Sequence, residues 1–512
     1  MLRTRVTLTG VVSALLLTTG LITPAQAAPA TRHSGQLAAG YLGRQLLANG
    51  GYLAPFGVPD LSNTAYAVLG LSAAGVGRDA AREAIGYLKG QVATGFVGSD
   101  GLDDPARLGY AVMAAVATGS HPRRFGGATG PRNLVARLVA TMRQTGPDAG
   151  LFGTADPKFD GAFRQGVALA ALKAAGVPSS RVTPALAWLA RQQCGNGLWT
   201  AYRPDPGAPC PAADPATFAG PDTNSTGMAA QGLAAYHRLN RPGRLLAALD
   251  ALQTVDGFPF LAVGGQPADP SSTALSIQAI LAAGGNPGSA RFTVGGRTAY
   301  RALASYQLGC QAPAGDRGAL TFPGTDGPNT FATVQGVPAL LGQTLPVTRA
   351  PSRDALPRLR CDAASSRAGA TSASLLAGTP GACVGTSGVT VAVDFTAFGG
   401  RVRVRCAPGD PATGIAALKR AGFTPTGTQR YGLAFVCRIN NKPTPEQDPC
   451  ITTPPATAYW AYYHASATAT SWTYSTVGPL SYDPLPGSIE AWAFGNSAKP
   501  SKTPAQVRNT TR

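Results

Sequence analysis

The sequence predicts a multi-domain protein, in which an all-α (α/α)6 toroid at residues 28–345 precedes a small α+β domain at residues 384–495. Two patterns predict this arrangement. A helix-pair motif recurs six times in the first part of the chain, and a two-residue period replaces the helical period near residue 384. The length of 512 residues also favours more than one domain.

The composition favours large buried cores. Hydrophobic residues make up 44% of the chain, and charged residues only 13%, which is roughly half the usual share of about 25%. Glutamate occurs only at Glu83, Glu446 and Glu490, so glutamate-pair chemistry is excluded over most of the chain. The net charge of +18 is interpreted as surface charge, because many arginines lie in a linker and one strand, and no nucleic-acid partner is expected.

The first 27 residues have the pattern of a secretory signal peptide. Arg3 and Arg5 form its basic start, an apolar stretch follows, and Ala25-Gln26-Ala27 is typical of a cleavage site. No later segment is long and apolar enough to cross a membrane. The expected location is therefore extracellular, with no membrane span.

An even number of cysteines in an exported chain indicates disulfides. Pairing of near neighbours predicts Cys194–Cys210, Cys310–Cys361, Cys383–Cys406 and Cys437–Cys450. No Cys-x-x-Cys pair occurs, so no metal site is expected.

Each of the six repeats begins with an amphipathic outer helix with a late Gln, followed by Gly and, within one or two residues, an apolar and usually aromatic residue, as in Trp188…Gln192…Gly197-Leu198-Trp199. The sixth repeat has Gly318-Ala319-Leu320 and lacks the aromatic residue. An Ala-rich inner helix comes next, apolar on all sides, which is typical of a helix packed among other helices. The predicted anchors of the inner helices are Thr64, Leu108, Gln165, Thr226, Thr273 and Thr330, and the predicted N-caps are Asn63, Ser225, Ser272 and Asn329. A closed ring is favoured over an open solenoid, which needs polar end caps.

The Leu189…Gln193…Gly197-Leu198-Trp199 pattern resembles the glutamine–tryptophan repeat of squalene cyclases and protein prenyltransferases, over roughly residues 35–345. In those families the repeats are structural, and cyclisation depends on an Asp-x-Asp-Asp motif. The nearest approach here is Asp100-Gly-Leu-Asp103-Asp104, which has different spacing, and the zinc ligands of prenyltransferases are absent. The resemblance therefore implies the fold and not the activity.

Residues 346–383 are rich in Arg, Pro, Ser and Ala and predict a solvated linker. Beyond it, strands are predicted at 389–395, 401–405, 433–439, 459–464, 472–475 and 489–494, with one helix at 411–421. The arrangement indicates a small sheet with one helix, and β-grasp is the specific fold that we expect. The tail 496–512 predicts disorder.

The segments Ala458–Tyr462, Trp472–Tyr474 and Gly487–Phe494 resemble the C-terminal β-domain of intrinsic factor and transcobalamin. A toroid followed by this module is the architecture of the cobalamin carriers, where the ligand lies between the toroid rim and the β-domain. That resemblance implies that Tyr459, Trp460, Tyr462 and Trp472 could cover a flat ligand. The alternative is that some of these rings form the core of the domain. Cobalamin is the implied ligand, and no other cofactor is expected.

Long loops lead into the inner helices and gather polar residues at one rim, where function is usually carried. The rim candidates are Thr64, Arg107, Arg164, Gln165, Asp222, Thr226, Asp269, Thr273, Asn329 and Thr330, with Gln231, Gln278 and Gln335 one turn deeper. Two interpretations stay open: helix caps and interhelical hydrogen bonds, or a ligand-binding lumen. Arg107 and Arg164 are candidates to clamp a carboxylate or phosphate.

The leading hypothesis is an exported, non-catalytic binding protein for a corrinoid or another large small molecule. The first alternative is a toroid enzyme that acts on a terpenoid or a polysaccharide. The second is a surface module that recognises a protein or a glycan. No Gly-x-Ser-x-Gly or His-Glu-x-x-His motif occurs, so little in the sequence favours catalysis.

Overall fold

The computed structural model describes residues 29–361 and 378–510, apart from residues 56, 99, 128–129, 158–159, 216, 324, 326, 351, 412, 429–431, 451–452, 476–477 and 481. The predicted signal peptide and the linker segment 362–377 lie outside the described residues.

The part of the chain before residue 345 is helical and follows the six predicted repeats. Its helices are α1 (Pro29–Ala48), α2 (Leu61–Ala74), α3 (Arg78–Gly90), α4 (Pro105–Thr118), α5 (Leu134–Ala140), α6 (Ala162–Ala174), α7 (Thr183–Arg191), α8 (Thr223–Ala235), α9 (Pro242–Leu252), α10 (Pro270–Ala282), α11 (Ala299–Ser305) and α12 (Thr330–Leu340). Short 3-10 turns lie at Pro122–Arg124, Ser179–Arg181 and Ala290–Phe292, and two small hairpins pair β1 (Trp199–Thr200) with β2 (Pro221–Asp222), and β3 (Thr293–Val294) with β4 (Arg297–Thr298).

The even-numbered helices are the inner ones, and each packs against the next. Helix α12 also packs against α2, so the contacts of the inner helices close on themselves. Gly109 faces Val167, and Gly166 faces Met228, at matching depths counted from the helix starts. Neighbouring inner helices are therefore parallel, and their N-termini share one rim.

Small residues explain why these helices lie inside. A Cβ added at Gly166 would lie 2.1 Å from the carbonyl oxygen of Met228, so the two backbones touch where glycine stands. The outer helices bury one face only. In α3 that face carries Ala80, Ala84 and Leu88, which have the spacing of an amphipathic surface helix.

The inner helices begin earlier than the sequence predicts. The N-caps of four of them are Asp60, Asp104, Asp222 and Asp269, whose carboxylates accept backbone N–H groups. The predicted caps Asn63, Ser225 and Ser272 were wrong, because their N–H groups are the ones that donate to these aspartates. The predicted cap Asn329 is confirmed, since it accepts from Ala332 N.

The cap positions also correct the sixth repeat. Counted from Asn329, the residue equivalent to Thr273 is Thr333 and not Thr330. Thr333 accepts a hydrogen bond from Leu320 N, as Thr273 does from Phe258 N. Gln335 is therefore out of register with Gln231 and Gln278.

The described part of the linker contacts the ring and is not a solvated spacer. Leu345 N donates to Gln231 Oε1 at 2.7 Å, which places this residue under the inner-helix C-termini. The chain then donates from Ala350 N to Ser72 O and from Arg353 N to Gly75 O. We call residues 346–361 the strap.

The second domain is a mixed sheet with one packed helix. The six-stranded sheet has the order β11-β10-β12-β6-β7-β5, in which β12 and β6 are parallel and the other neighbours antiparallel. Its strands are β5 (Thr379–Pro380), β6 (Gly388–Asp394), β7 (Val402–Pro408), β10 (Tyr459–Ala465), β11 (Thr473–Tyr474) and β12 (Ile489–Gly495), while β8 (Pro425–Thr428) and β9 (Gly432–Ile439) form a separate hairpin. Helix α13 (Gly414–Arg420) packs against β6 and β7.

The tail is ordered where it is described, contrary to the prediction. Helix α14 (Pro504–Arg508) begins with a capping box of Thr503 and Gln506, and Val507 is fully buried against the sheet. The local composition predicted disorder. It cannot show that Val507 is buried, because that burial depends on a tertiary contact with the sheet.

All four predicted disulfides are confirmed: Cys194–Cys210, Cys310–Cys361, Cys383–Cys406 and Cys437–Cys450. Such bonds persist in oxidising compartments, which fits an extracellular protein. Among the helices of the described residues, none has the length and apolarity to cross a bilayer.

Candidate functional site

The sheet domain lies against the rim formed by the inner-helix N-termini, and two clefts lie between them. The first has a volume of about 840 Å³ and is lined by rim loops around Asp104 and Asp160 and by sheet-domain residues such as Phe398 and Phe494. The second has a volume of about 800 Å³ and is lined by rim loops around Asp222 and Asp269 and by the strands that carry Trp460 and Trp492. We call them the acidic cleft and the aromatic cleft.

The acidic cleft does not fit the predicted anion clamp. Arg164 donates to Asp104 at 2.9 Å and to Asp160 at 3.1 Å, and Arg107 donates to Val97 O. Both arginines are thus engaged inside the protein. The aspartates that line the cleft are Asp100, Asp103, Asp104, Asp156, Asp160 and Asp448. Because these carboxylates outnumber the two lining arginines, a bound carboxylate or phosphate would be repelled.

The aromatic cleft is lined by rings from both domains. The helical region contributes Phe218, Phe260 and Phe322, and the sheet domain contributes Phe435, Tyr459, Trp460, Tyr462, Tyr474 and Trp492. The rings of Phe218 and Phe435 meet across the domain boundary, with centroids 4.9 Å apart. Phe218 has a left-handed backbone (φ 55°), which is rare for a bulky residue, so this ring position is held at a cost.

A few polar groups stand among these rings. Asp269 accepts from Ser272 N at 2.8 Å and from Ser272 Oγ at 2.6 Å, yet burial raises the pKa of its carboxyl to about 6. The Oδ1 atom of Asn224 and the indole Nε1 of Trp492 are buried and have no hydrogen-bond partner among the residues that the structure describes. Ligand groups that pair with them would remove the cost of these unsatisfied atoms.

Three of the four predicted cleft aromatics line the aromatic cleft, and one does not. Tyr459, Trp460 and Tyr462 are lining residues. Trp472 packs with residues on the opposite face of the sheet, where its Nε1 donates to Lys502 O at 2.8 Å. The prediction that Trp472 contacts a ligand was wrong, because the alternation of side chains along the strand directs this ring to the opposite face of the sheet.

His464 offers the cleft no metal ligand. Its ring stacks on Tyr482 with centroids 4.2 Å apart, and it lies opposite Glu490 on the neighbouring strand. Burial lowers the pKa of this imidazole. No histidine occurs among the described residues that line either cleft.

Four rim side chains, three threonines and Gln165, make the same structural contact in their repeats. Each accepts a hydrogen bond from the backbone of the turn that follows the preceding outer helix, as Thr226 does from Trp199 N at 2.9 Å. The equivalent donors are Leu53 N to Thr64, Phe152 N to Gln165 and Phe258 N to Thr273. These four side chains are fully buried, so the first of the two interpretations, helix and turn capping, describes them.

The remaining rim candidates divide between caps and the interior of the ring. Asp222 and Asn329 cap helices, and Thr330 is the first residue of α12. Gln231 bonds to Gly227 O and Leu345 N. Gln278 donates to Gln335 O at 3.1 Å, while the Oε1 atoms of both glutamines have no partner in the protein.

The sequence reasoning missed Phe218, Phe260, Phe322, Phe435 and Trp492. The first three lie in the same rim loops that supplied the polar candidates. Their signal was therefore available: aromatic residues in long loops just before inner helices.

No family model matches the sequence, and no curated protein matches it. Two solved structures are similar to it. One is a protein from Actinoplanes, 20% identical with a TM-score of 0.38, which covers 60% of this chain and 99% of its own. The other is a type II terpene cyclase from Scytonema in complex with merosterolic acid A, 16% identical with a TM-score of 0.39, which covers 62% of this chain and 99% of its own.

Proposed function

We propose that the protein is an (α/α)6 toroid with a β-grasp-like domain, and that it binds a large organic molecule in the aromatic cleft without transforming it. The observation that carries the proposal is the enclosure of this cleft by rings from both domains. A site shared by two domains is a common place for ligands, and a volume of about 800 Å³ lies in the usual range of about 300–1,000 Å³.

The lining favours a ligand with an extended apolar or flat face. Ring faces such as those of Trp460 and Tyr462 gain from contact with another π-system or an apolar plane. The ligand would accept a hydrogen bond from Trp492 Nε1 and donate one to Asn224 Oδ1. A corrinoid, with its flat macrocycle and amide-bearing edge, is the specific candidate. The cleft lining provides no histidine for its cobalt, so recognition would depend on these ring and edge contacts.

Thermal unfolding of the purified protein with and without cyanocobalamin tests the corrinoid. Saturating ligand should raise the Tm, and a protein isolated from its native source should absorb in the visible. Phe218→Ala should weaken binding about tenfold, because it removes a ring that bridges the domains. Leu102→Ala removes an exposed apolar side chain from the acidic cleft, and this control should change the Kd less than twofold. An unchanged Tm with cyanocobalamin and colourless native protein would exclude a corrinoid.

A second candidate function is an enzyme on a terpenoid or polysaccharide, and Asp269 favours it. A carboxyl with a pKa of about 6 in an apolar cleft has the character of a general acid. Incubation with representative terpenoid and polysaccharide substrates tests this candidate. If product forms, Asp269→Asn should abolish it while leaving the Tm near that of the wild type. Activity that survives this substitution would exclude Asp269 as the acid.

A further inference from the structure

Arginines from distant parts of the sequence gather at the end of the ring opposite the clefts. Eight are exposed in or beside the turns that follow inner helices and in the strap: Arg78, Arg123, Arg124, Arg181, Arg238, Arg241, Arg349 and Arg353. We call this set the basic face. In the sequence alone the positive charge is interpreted as general surface charge, with many arginines in the linker and one strand, and these residues are not brought together.

Direct contacts show that these turns are neighbours. Arg123 donates to Ala175 O in the turn after α6, and Tyr236 after α8 donates to Val177 O in that same turn. On the other side, Arg353 N donates to Gly75 O and Arg78 N donates to Arg353 O. The strap residue Arg349 lies beside Gly119, next to the turn that carries Arg123 and Arg124. The basic face is therefore one continuous surface.

Little negative charge offsets it. Asp354 is the acidic residue among the described residues of these turns and the strap, and its Oδ1 lies 3.7 Å from Nε of Arg78. The adjoining Asp79 pairs with Arg82. The opposite rim carries the aspartate caps and the acidic cleft, so the two ends of the ring have opposite charge.

Helix capping does not explain these arginines. The last turns of α2, α4, α8 and α12 contain no basic residue. The C-cap residues Gly75 and Gly119 are left-handed and close α2 and α4 through their own N–H groups. Arg123 is the exception, because its guanidinium donates to the carbonyl oxygen of Ala175, the C-cap residue of α6. The other guanidinium groups make no such capping contact within the described part of the chain, although capping is a common structural role for a cation at this end of a helix.

We propose that the basic face docks the protein onto an acidic polysaccharide, a glycan that carries carboxylate or sulfate groups. Arginine, which forms the whole set, binds such groups through two parallel hydrogen bonds. The aromatic rings in these turns, Phe125 and Tyr236, are buried, so no exposed ring is present among the described residues to stack on the bases of a single-stranded nucleic acid. The disulfides fit an oxidising compartment, and acidic glycans are among the polyanions found outside cells. This inference does not depend on the ligand of the aromatic cleft.

The full chain is tested for binding to heparin and to polygalacturonate in NaCl titrations. The variant Arg124→Glu/Arg238→Glu/Arg353→Glu should bind at least tenfold more weakly, and the slope of log K against log [NaCl] should fall by about one for each arginine replaced. The control Arg401→Glu/Arg403→Glu/Lys499→Glu makes the same change in net charge at exposed positions of the sheet domain. It should bind within twofold of the wild type.

Three outcomes would overturn the proposal. If both variants weakened glycan binding equally, binding would depend on the net charge of the protein and not on the basic face. Absence of binding to both glycans at about 150 mM NaCl would remove the partner. Binding of a 20-base-pair DNA duplex tenfold tighter than either glycan at the same salt would assign the face to nucleic acid. Circular dichroism and the Tm of each variant confirm that it is folded.

Discussion

The hydroxyl of Tyr462 donates a hydrogen bond to Oε2 of Glu490, a carboxyl group that is completely buried in the sheet domain. The other oxygen of Glu490 has no hydrogen-bond partner within the described part of the chain. Burial raises the pKa of Glu490 to about 8, against the smaller lowering effect of the Tyr462 hydrogen bond. One of only three glutamates in the chain therefore lies beneath a residue of the aromatic cleft.

Glu490 makes stability fall as the pH rises. Its carboxyl has a higher pKa folded than unfolded, so the folded state holds the proton more tightly between about pH 4.5 and pH 8. Within this window each pH unit lowers the free energy of unfolding by up to about 1.4 kcal/mol through this group. Glu490→Gln does not ionise, so the variant should gain stability over the wild type as the pH rises from 5 to 9.

Urea unfolding at pH 5, 7 and 9 measures this difference. The exposed Glu446→Gln is the control, and the stability of this variant should follow that of the wild type at all three values. A constant difference between Glu490→Gln and the wild type across the range would contradict the assignment.

Removal of a buried rim hydroxyl should lower the stability of the protein. Thr273→Val removes the acceptor of Phe258 N and leaves a buried N–H unpaired, which should cost about 1–3 kcal/mol. Thr330→Val is the control, since this residue is only half-buried at the start of α12, and the change should stay below about 0.5 kcal/mol. Similar Tm values for the two variants would show that the Thr273 contact is not stabilising.

The contact between α6 and α8 depends on the absence of a side chain. Gly166→Ala would place a Cβ 2.1 Å from Met228 O, so one helix must shift, and we expect a loss of at least about 1–3 kcal/mol. Gly86→Ala lies within α3 with no atom within 4 Å of the added carbon, and it should stabilise by about 0.5–1 kcal/mol. Chemical denaturation measures the free energy of unfolding of both variants. If both substitutions changed it in the same direction, this packing would be refuted.

The Cys310–Cys361 disulfide holds the end of the strap. The double substitution Cys310→Ser/Cys361→Ser should lower the free energy of unfolding by about 2–4 kcal/mol, because the unfolded chain is no longer cross-linked. Amide exchange should speed up at Arg353 and Gly77, whose N–H groups donate between strap and ring. Unchanged exchange at these two amides would mean that the strap is held by its other contacts alone.

Much of the fold could be predicted because its signals are local. The strand periods of the sheet domain predicted β6, β9, β10 and β12 to within about two residues. Strand β8 was missed, since Pro425–Thr428 alternates too briefly to give a period. The disulfides followed from proximity along the chain, because each joins cysteines that are neighbours in the sequence of cysteines, even where 51 residues separate Cys310 from Cys361.

The site was less predictable, because it depends on which distant segments meet. Polar type and helix position placed Thr226 at the rim, but its partner Trp199 N could be found only from the packed turn. Arg164 suggested an anion site, yet Asp104, which neutralises it, comes from a different repeat. Charge at a site is a sum over neighbours, and neighbours are set by the tertiary structure.

The sequence by itself determined that helix pairs repeat, which helices are inner and where the sheet domain begins, and it suggested which cysteines pair. Each follows from periodicity, residue size or short spacing, which act over a few residues. Only the tertiary structure decided that rings from both domains enclose one cleft while aspartates surround another, and that scattered arginines share one face. Parallel inner helices cause this division, because they bring every preceding loop to one end of the ring and every following turn to the other.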